Sequence, residues 1–136
     1  MDEQKNYIKS EQFINKILLV DDDISVLKLI SFILLKEKYD VIGTINNGKD
    51  AINIYKNIWE NVDLIILDLY MPPGINGIQV LEILLNINPN AKIIICSSIE
   101  DINIINQAKM RGAKDYITKP INKDKLIQII ENIQNI

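Results

Sequence analysis

From Lys16 onward, short apolar runs alternate with longer stretches in which apolar residues recur at helical spacing. Lys16 to Asp21, Tyr39 to Ile45, Val62 to Leu67, Ala91 to Cys96 and Lys114 to Thr118 read as five strands. The first, Lys16-Ile17-Leu18-Leu19-Val20-Asp21, lacks the polar alternation of a half-solvated strand, as expected of one buried on both faces. Between the runs, Ser25 to Lys38, Lys49 to Trp59, Gly77 to Ile87, Asp101 to Met110 and Asp124 to Asn135 read as one-sided helices. The first has apolar residues at 26, 27, 29, 30, 33 and 34. The second turns Ala51, Ile52, Ile54, Tyr55 and Ile58 inward, and the last Leu126, Ile127, Ile129, Ile130 and Ile133. Asn46-Asn47-Gly48 is a turn, the third helix stops before Pro89, and Gly112 closes the fourth. Residues 1–15 read as a polar lead-in, with Phe13 and Ile14 tucked against a domain spanning 16–136.

Five strand–helix units in strict alternation predict an α/β fold. Right-handed crossovers make the sheet parallel and cover both its faces, a doubly wound three-layer arrangement. Ligands of such sheets sit beyond the C-terminal strand ends. A length of 136 residues fits one domain able to bury its own core. The abundant isoleucine replaces valine and leucine as core filler and carries no functional signal. The single cysteine, Cys96, lies in mid-run as a core thiol; one cysteine excludes a disulfide framework or a multi-thiol metal site. The absence of histidine removes His-based acid–base chemistry and Ser-His-Asp triads. A net charge of −3 gives no electrostatic case for nucleic acid or an anionic membrane. The apolar runs are too short to span a bilayer, and residues 1–10 lack the apolar core of a signal peptide, so a cytoplasmic location is the expectation.

The polar residues at the strand ends carry the chemistry. Strand 1 ends in Asp21-Asp22-Asp23, strand 3 in Asp68, strand 4 in Ser97-Ser98 and strand 5 in Lys119-Pro120. A parallel sheet brings these ends to one rim. Carboxylates gathered this closely raise one another's pKa unless a cation intervenes. Oxygen-only donors suit Mg²⁺, which binds through a few carboxylates beside a phosphate. A nearby ammonium and hydroxyl complete a site for phosphoryl transfer to a carboxylate. Singly, each residue has an ordinary explanation: Asp23 as a helix cap, Asp68 as a loop acid, Ser97 as a cap, Lys119 as a solvated charge. Four strand ends agreeing in position and chemistry outweigh those readings.

On these residues the chain resembles the receiver domains of two-component response regulators, the CheY-like superfamily. The resemblance rests on Ile17-Leu18-Leu19-Val20-Asp21-Asp22, Leu64-Ile65-Ile66-Leu67-Asp68-Leu69-Tyr70-Met71-Pro72, Ile93-Ile94-Ile95-Cys96-Ser97-Ser98 and Gly112-Ala113-Lys114-Asp115-Tyr116-Ile117-Thr118-Lys119-Pro120. It implies a flavodoxin-like (βα)5 fold with strand order 2-1-3-4-5. It implies Asp68 as phosphoacceptor, with Mg²⁺ on Asp22, Asp68 and the backbone carbonyl of Tyr70, and Asp21 acting directly or through the metal's water. Ser97 and Lys119 would meet the phosphoryl group. Ser97 and Tyr116 would form the switch, and the Lys119–Pro120 bond would be cis. Tyr70 and Ile99, both bulky, stand where side chains govern water access to the acyl phosphate. The partners implied are a histidine kinase or phosphotransfer protein acting in trans and a protein target on the face of the fourth helix, fifth strand and fifth helix. The domain itself would not be an enzyme, beyond catalysing its own phosphorylation and slow dephosphorylation.

The sequence departs from the family pattern in places. Met71-Pro72-Pro73-Gly74-Ile75-Asn76-Gly77 carries one extra residue and has Asn76 in place of an acid. Position 121 is Ile where many receivers have Phe, and few dimer-pairing charges lie on the fourth and fifth helices. The expectation is a stand-alone receiver; a receiver cut from a longer regulator is the alternative. Two rivals are a haloacid-dehalogenase-like phosphatase, suggested by Asp21-Asp22-Asp23, and a binding module that keeps the fold without phosphorylation.

Overall fold

The computed structural model describes residues 13–134. Five strands, β1 (Lys16–Val20), β2 (Asp40–Ile45), β3 (Leu64–Leu67), β4 (Ile93–Ser97) and β5 (Asp115–Thr118), form one parallel sheet in the order β2-β1-β3-β4-β5. Five helices alternate with them: α1 (Ile24–Lys36), α2 (Gly48–Ile58), α3 (Gly77–Ile87), α4 (Ile102–Met110) and α5 (Lys123–Gln134). Short 3-10 turns at Trp59–Asn61 and Ile99–Asp101 follow α2 and precede α4.

The apolar runs become central strands because both their faces are covered. Leu18, Val20, Ile65, Leu67, Ile93 and Ile95 pack against Ala51 and Tyr55 of α2, Val80, Leu81 and Leu84 of α3, and Ile105 and Ala108 of α4. The alternate residues Ile17, Leu19, Leu64, Ile66, Ile94, Cys96 and Ile117 pack against Leu27, Ile30 and Leu34 of α1 and Leu126, Ile130 and Ile133 of α5. The three layers expected from the sequence are these two helical layers and the sheet. Asp23 caps α1, accepting the backbone N–H of Ser25 at 2.9 Å. Asn76 opens α3 through a capping box with Gln79. Gly112, at φ +120°, turns the chain out of α4.

Three details correct the sequence reading. Phe13 is exposed and only Ile14 is buried, its N–H donating to Gln134 Oε1 at 2.9 Å. Leu29 of α1 and Ile54 of α2 face solvent, because the inward stripe of each helix is narrower than its apolar content. α4 begins one residue later than expected, after the 3-10 turn. Residues 1–12 of the expected lead-in lie outside the described residues.

The strand register positions the site. Val20 stands beside Leu67, Leu67 beside Ile95, and Ser97 beside Thr118. Beyond these pairs, Asp21 donates its backbone N–H to Ile45 O, Asp68 to Val20 O and Lys119 to Ser97 O, at 2.9, 2.9 and 2.8 Å. The residues that follow the strands are thus bonded across the rim rather than left on free loops. Gly77 locks the connection after β3: its N–H donates to Leu69 O at 3.1 Å, and a Cβ there would overlap the Leu69 backbone. The first turn of α3 therefore lies directly on the segment carrying Asp68.

Candidate functional site: an acidic rim with one lysine

Asp21 follows β1 and is buried. Its Oδ1 accepts the backbone N–H of Asp23 at 2.9 Å. Its Oδ2 lies 3.0 Å from Lys119 Nζ but outside hydrogen-bond alignment, and has no hydrogen-bond partner. Asp68 follows β3 and is also buried. Its Oδ1 accepts the Tyr70 N–H at 3.1 Å, and its Oδ2 lies 3.4 Å from the same Lys119 Nζ. Asp22 is exposed, yet Asp21, Asp22 and Asp68 each place a carboxylate oxygen within 4.8 Å of the others. The Lys119–Pro120 peptide is cis, as the resemblance implied, and so is Pro72–Pro73, which the sequence reading did not foresee.

Ser97, at the end of β4, is fully buried among these groups. Its hydroxyl donates to Asp101 Oδ2 at 2.8 Å, and the Ser98 hydroxyl donates to the same oxygen at 2.9 Å. Asp22, Asp68, Tyr70, Ser97 and Lys119 border one recess of about 380 Å³. A larger groove of about 690 Å³ lies between α1 and the β2–α2 segment, but its walls are mainly apolar, including Leu27, Phe32, Leu35 and Ile54. We assign the chemistry to the smaller recess, where the charges are. Tyr70 stands at its mouth with its side chain 67% exposed. Tyr116 does not border the recess; it is half-buried against the α2–α4 layer, with Lys109 Nζ 5.5 Å from its ring centroid. The side chain of Ile99 lies outside the described residues.

The electrostatics follow from this geometry. Burial, then the neighbouring Asp21 charge, push the Asp68 carboxyl up from 3.8 to about 6, against the opposing pull of the Tyr70 N–H and Lys119. Burial alone would lower the Lys119 pKa, but the Asp21 and Asp68 carboxylates more than offset it and raise it. One ammonium is shared by two buried carboxylates and cannot satisfy both. Counting Asp22, three carboxylates and one ammonium leave a formal surplus of two negative charges. That surplus, the oxygen-only donors and the buried Asp21 Oδ2, which accepts no hydrogen bond and has only the shared Lys119 ammonium beside it, fit a small divalent cation. Cys96, buried behind the site, has its thiol pushed up to about 12 by burial and is inert.

The structure thus brings together six of the residues singled out in the sequence: Asp21, Asp22, Asp68, Tyr70, Ser97 and Lys119. Asp101 was missed. It was read as the start of a helix, but its carboxylate caps nothing and instead holds two serine hydroxyls. The Ser-Ser-x-x-Asp spacing was a usable signal, since residues three and four apart meet across one helical turn.

The response regulator receiver domain family matches residues 17–131. The chain is 36% identical over 118 residues to a chemotaxis protein CheY of Treponema pallidum, covering 87% of this chain and 81% of that one. It is 33% identical over 121 residues to CheY of Bacillus subtilis, covering 89% and 98%. Among solved structures, a CheX–CheY–BeF3–Mg complex from Borrelia burgdorferi superposes with a TM-score of 0.83 at 29% identity, covering 89% of this chain and 90% of that one. A response regulator receiver domain from Clostridium thermocellum also gives a TM-score of 0.83, at 28% identity over 90% and 95% of the chains. Nothing in these matches favours the phosphatase reading. No helix among the described residues is long and apolar enough to cross a membrane. The chain belongs to the response regulator receiver domain family of two-component signalling.

Proposed function

We propose that Asp68 is the phosphoacceptor of this receiver. The observation that carries the reading is the pairing of Asp68 Oδ2 with Lys119 Nζ at 3.4 Å, beside Asp21 and at the mouth of a recess large enough for a phosphoryl group. An Asp68 carboxylate oxygen attacks phosphorus in line, the bond to the donor nitrogen breaks, and an acyl phosphate forms. The Lys119 ammonium pairs with a phosphoryl oxygen and offsets its charge, and the Ser97 hydroxyl donates to another. Mg²⁺, held by Asp22, Asp68 and the Tyr70 carbonyl, with Asp21 binding it directly or through water, supplies charge neutralisation when bound. The protein's part is to fix its acceptor and charges on adjacent strand ends, so that little rearrangement precedes transfer. The chain catalyses its own phosphorylation and a slow dephosphorylation.

The 136 residues contain no histidine, so a phosphohistidine donor lies outside them, on a histidine kinase or phosphotransfer protein acting in trans. Phosphorylation shifts an existing equilibrium as Ser97 moves to the phosphoryl group and Tyr116 turns inward. A protein partner reads the change on α4, β5 and α5. The test is intact-mass spectrometry after incubation with a small acyl phosphate. One added phosphate in Mg²⁺, none in EDTA and none in Asp68→Asn is expected. Undiminished incorporation in Asp68→Asn overturns the assignment.

A further inference from the structure

The geometry points to Asp101 as a positioning residue that holds the Ser97 hydroxyl away from the phosphoryl site and so restrains the switch. This inference rests on the phosphoacceptor reading above. A serine hydroxyl has one proton to donate. Here that proton goes to Asp101 Oδ2 at 2.8 Å, a charge-assisted bond of the stronger kind. Ser97 is fully buried, so no bulk water competes for the proton. To donate to a phosphoryl oxygen on Asp68, the hydroxyl must leave Asp101.

Ser98 makes the exchange practicable. Its hydroxyl donates to the same Asp101 oxygen at 2.9 Å, so the carboxylate keeps a donor when Ser97 leaves. Asp101 itself is only half-buried and can recruit water. It closes the 3-10 turn Ile99–Asp101, directly ahead of α4, and its side chain caps no backbone N–H. The bond therefore ties the end of β4 to the start of α4. Releasing it couples occupancy of the recess to the helix face that partners read. The unphosphorylated state keeps the bond and the phosphorylated state trades it for one to phosphate, so removing the acceptor favours the second state.

The experiment is titration with beryllofluoride in Mg²⁺, followed by Tyr or Trp fluorescence or calorimetry, on the full chain. Circular dichroism verifies the fold of each variant. Asp101→Ala is expected to bind beryllofluoride about tenfold more tightly than the wild type, as loss of one charge-assisted bond implies. Asp101 and Glu100 both border the recess, so a gain could arise from charge alone. Two further variants separate the causes. Glu100→Gln removes a neighbouring charge without touching Ser97 and is expected to change affinity less than threefold. In a Ser97→Ala background, Asp101→Ala is expected to change affinity less than threefold, no more than the charge effect of Glu100→Gln. An Asp101→Ala affinity equal to the wild type overturns the inference. So does a gain of the same size in the Ser97→Ala background, or an equal gain in Glu100→Gln. If the wild type itself binds no beryllofluoride, the phosphoacceptor reading fails first and takes this inference with it.

Discussion

Replacing Asp68 by Asn should stabilise the protein at neutral pH and do so much less in acid. The folded structure holds the Asp68 carboxyl near 6, whereas the unfolded chain titrates it near 3.8. The native state therefore binds the proton more tightly. Between pH 3.8 and about 6, folding takes up a proton and stability falls as pH rises. Above pH 6 the full penalty of the buried charge is present. A shift of roughly two pH units is equivalent to about 3 kcal/mol. Water at the open mouth of the recess screens part of it, so about 1–2 kcal/mol is the expected gain for Asp68→Asn at pH 7.5 in EDTA. At pH 4.5 the folded carboxyl is protonated while the unfolded one is still mostly ionised, so about a third of the gain should remain. Urea unfolding at the two pH values measures both. Added Mg²⁺ should narrow the difference at pH 7.5, because binding stabilises the wild type more than a variant lacking one ligand. A variant less stable than the wild type at pH 7.5, or a difference independent of pH, would refute this account of the site's charge balance.

Lys119→Ala should destabilise the metal-free protein by about 3 kcal/mol at pH 7.5, since it leaves Asp21 and Asp68 buried without a cation. The same change should tighten Mg²⁺ binding while slowing phosphorylation, and unaltered Mg²⁺ affinity would count against a shared charge field. Gly77→Ala should lose about 2–3 kcal/mol in urea melts, because its Cβ would meet the Leu69 backbone rather than a movable side chain; a neutral result would mean the α3 start is not locked on that segment. Tyr70→Ala should shorten the phospho-form's lifetime, read by loss of the added phosphate with time, and an unchanged lifetime would show that the ring does not gate water. Cys96 should resist a thiol reagent in the native protein and react only on unfolding, given its burial and raised pKa; rapid native labelling would contradict the packing beneath the site.

The sequence was most informative where burial is all-or-none. Ile17-Leu18-Leu19-Val20 and Leu64-Ile65-Ile66-Leu67 have no polar side chain to place outward, so they read as central strands, and their terminal aspartates had to meet at one rim. It was less informative where apolar content exceeds what one helix face can bury. Leu29 and Ile54 fit the helical period yet face solvent, because what packs against each helix, not periodicity, sets the width of the covered stripe. Within the site, the identity of the acids was legible but their burial was not. Asp21 and Asp22 are adjacent in sequence; the backbone bond from Asp21 to Ile45 O, the Asp23 N–H on its Oδ1 and Lys119 beside its Oδ2 hold the first inward, while the second is exposed. Asp101 escaped notice because a helix start offers an acid an ordinary capping role. Only the positions of the two serine hydroxyls reveal a different one.

The arrangement of three acids and one lysine around a divalent ion is tested most directly by diffraction from crystals grown with Mn²⁺ in place of Mg²⁺. Anomalous scattering locates the ion without assumptions about the ligands. The account predicts one peak at the recess, within direct coordination distance of oxygens of Asp22 and Asp68 and of the Tyr70 carbonyl. A peak elsewhere with this recess vacant, or no ordered ion at saturating metal, would contradict it.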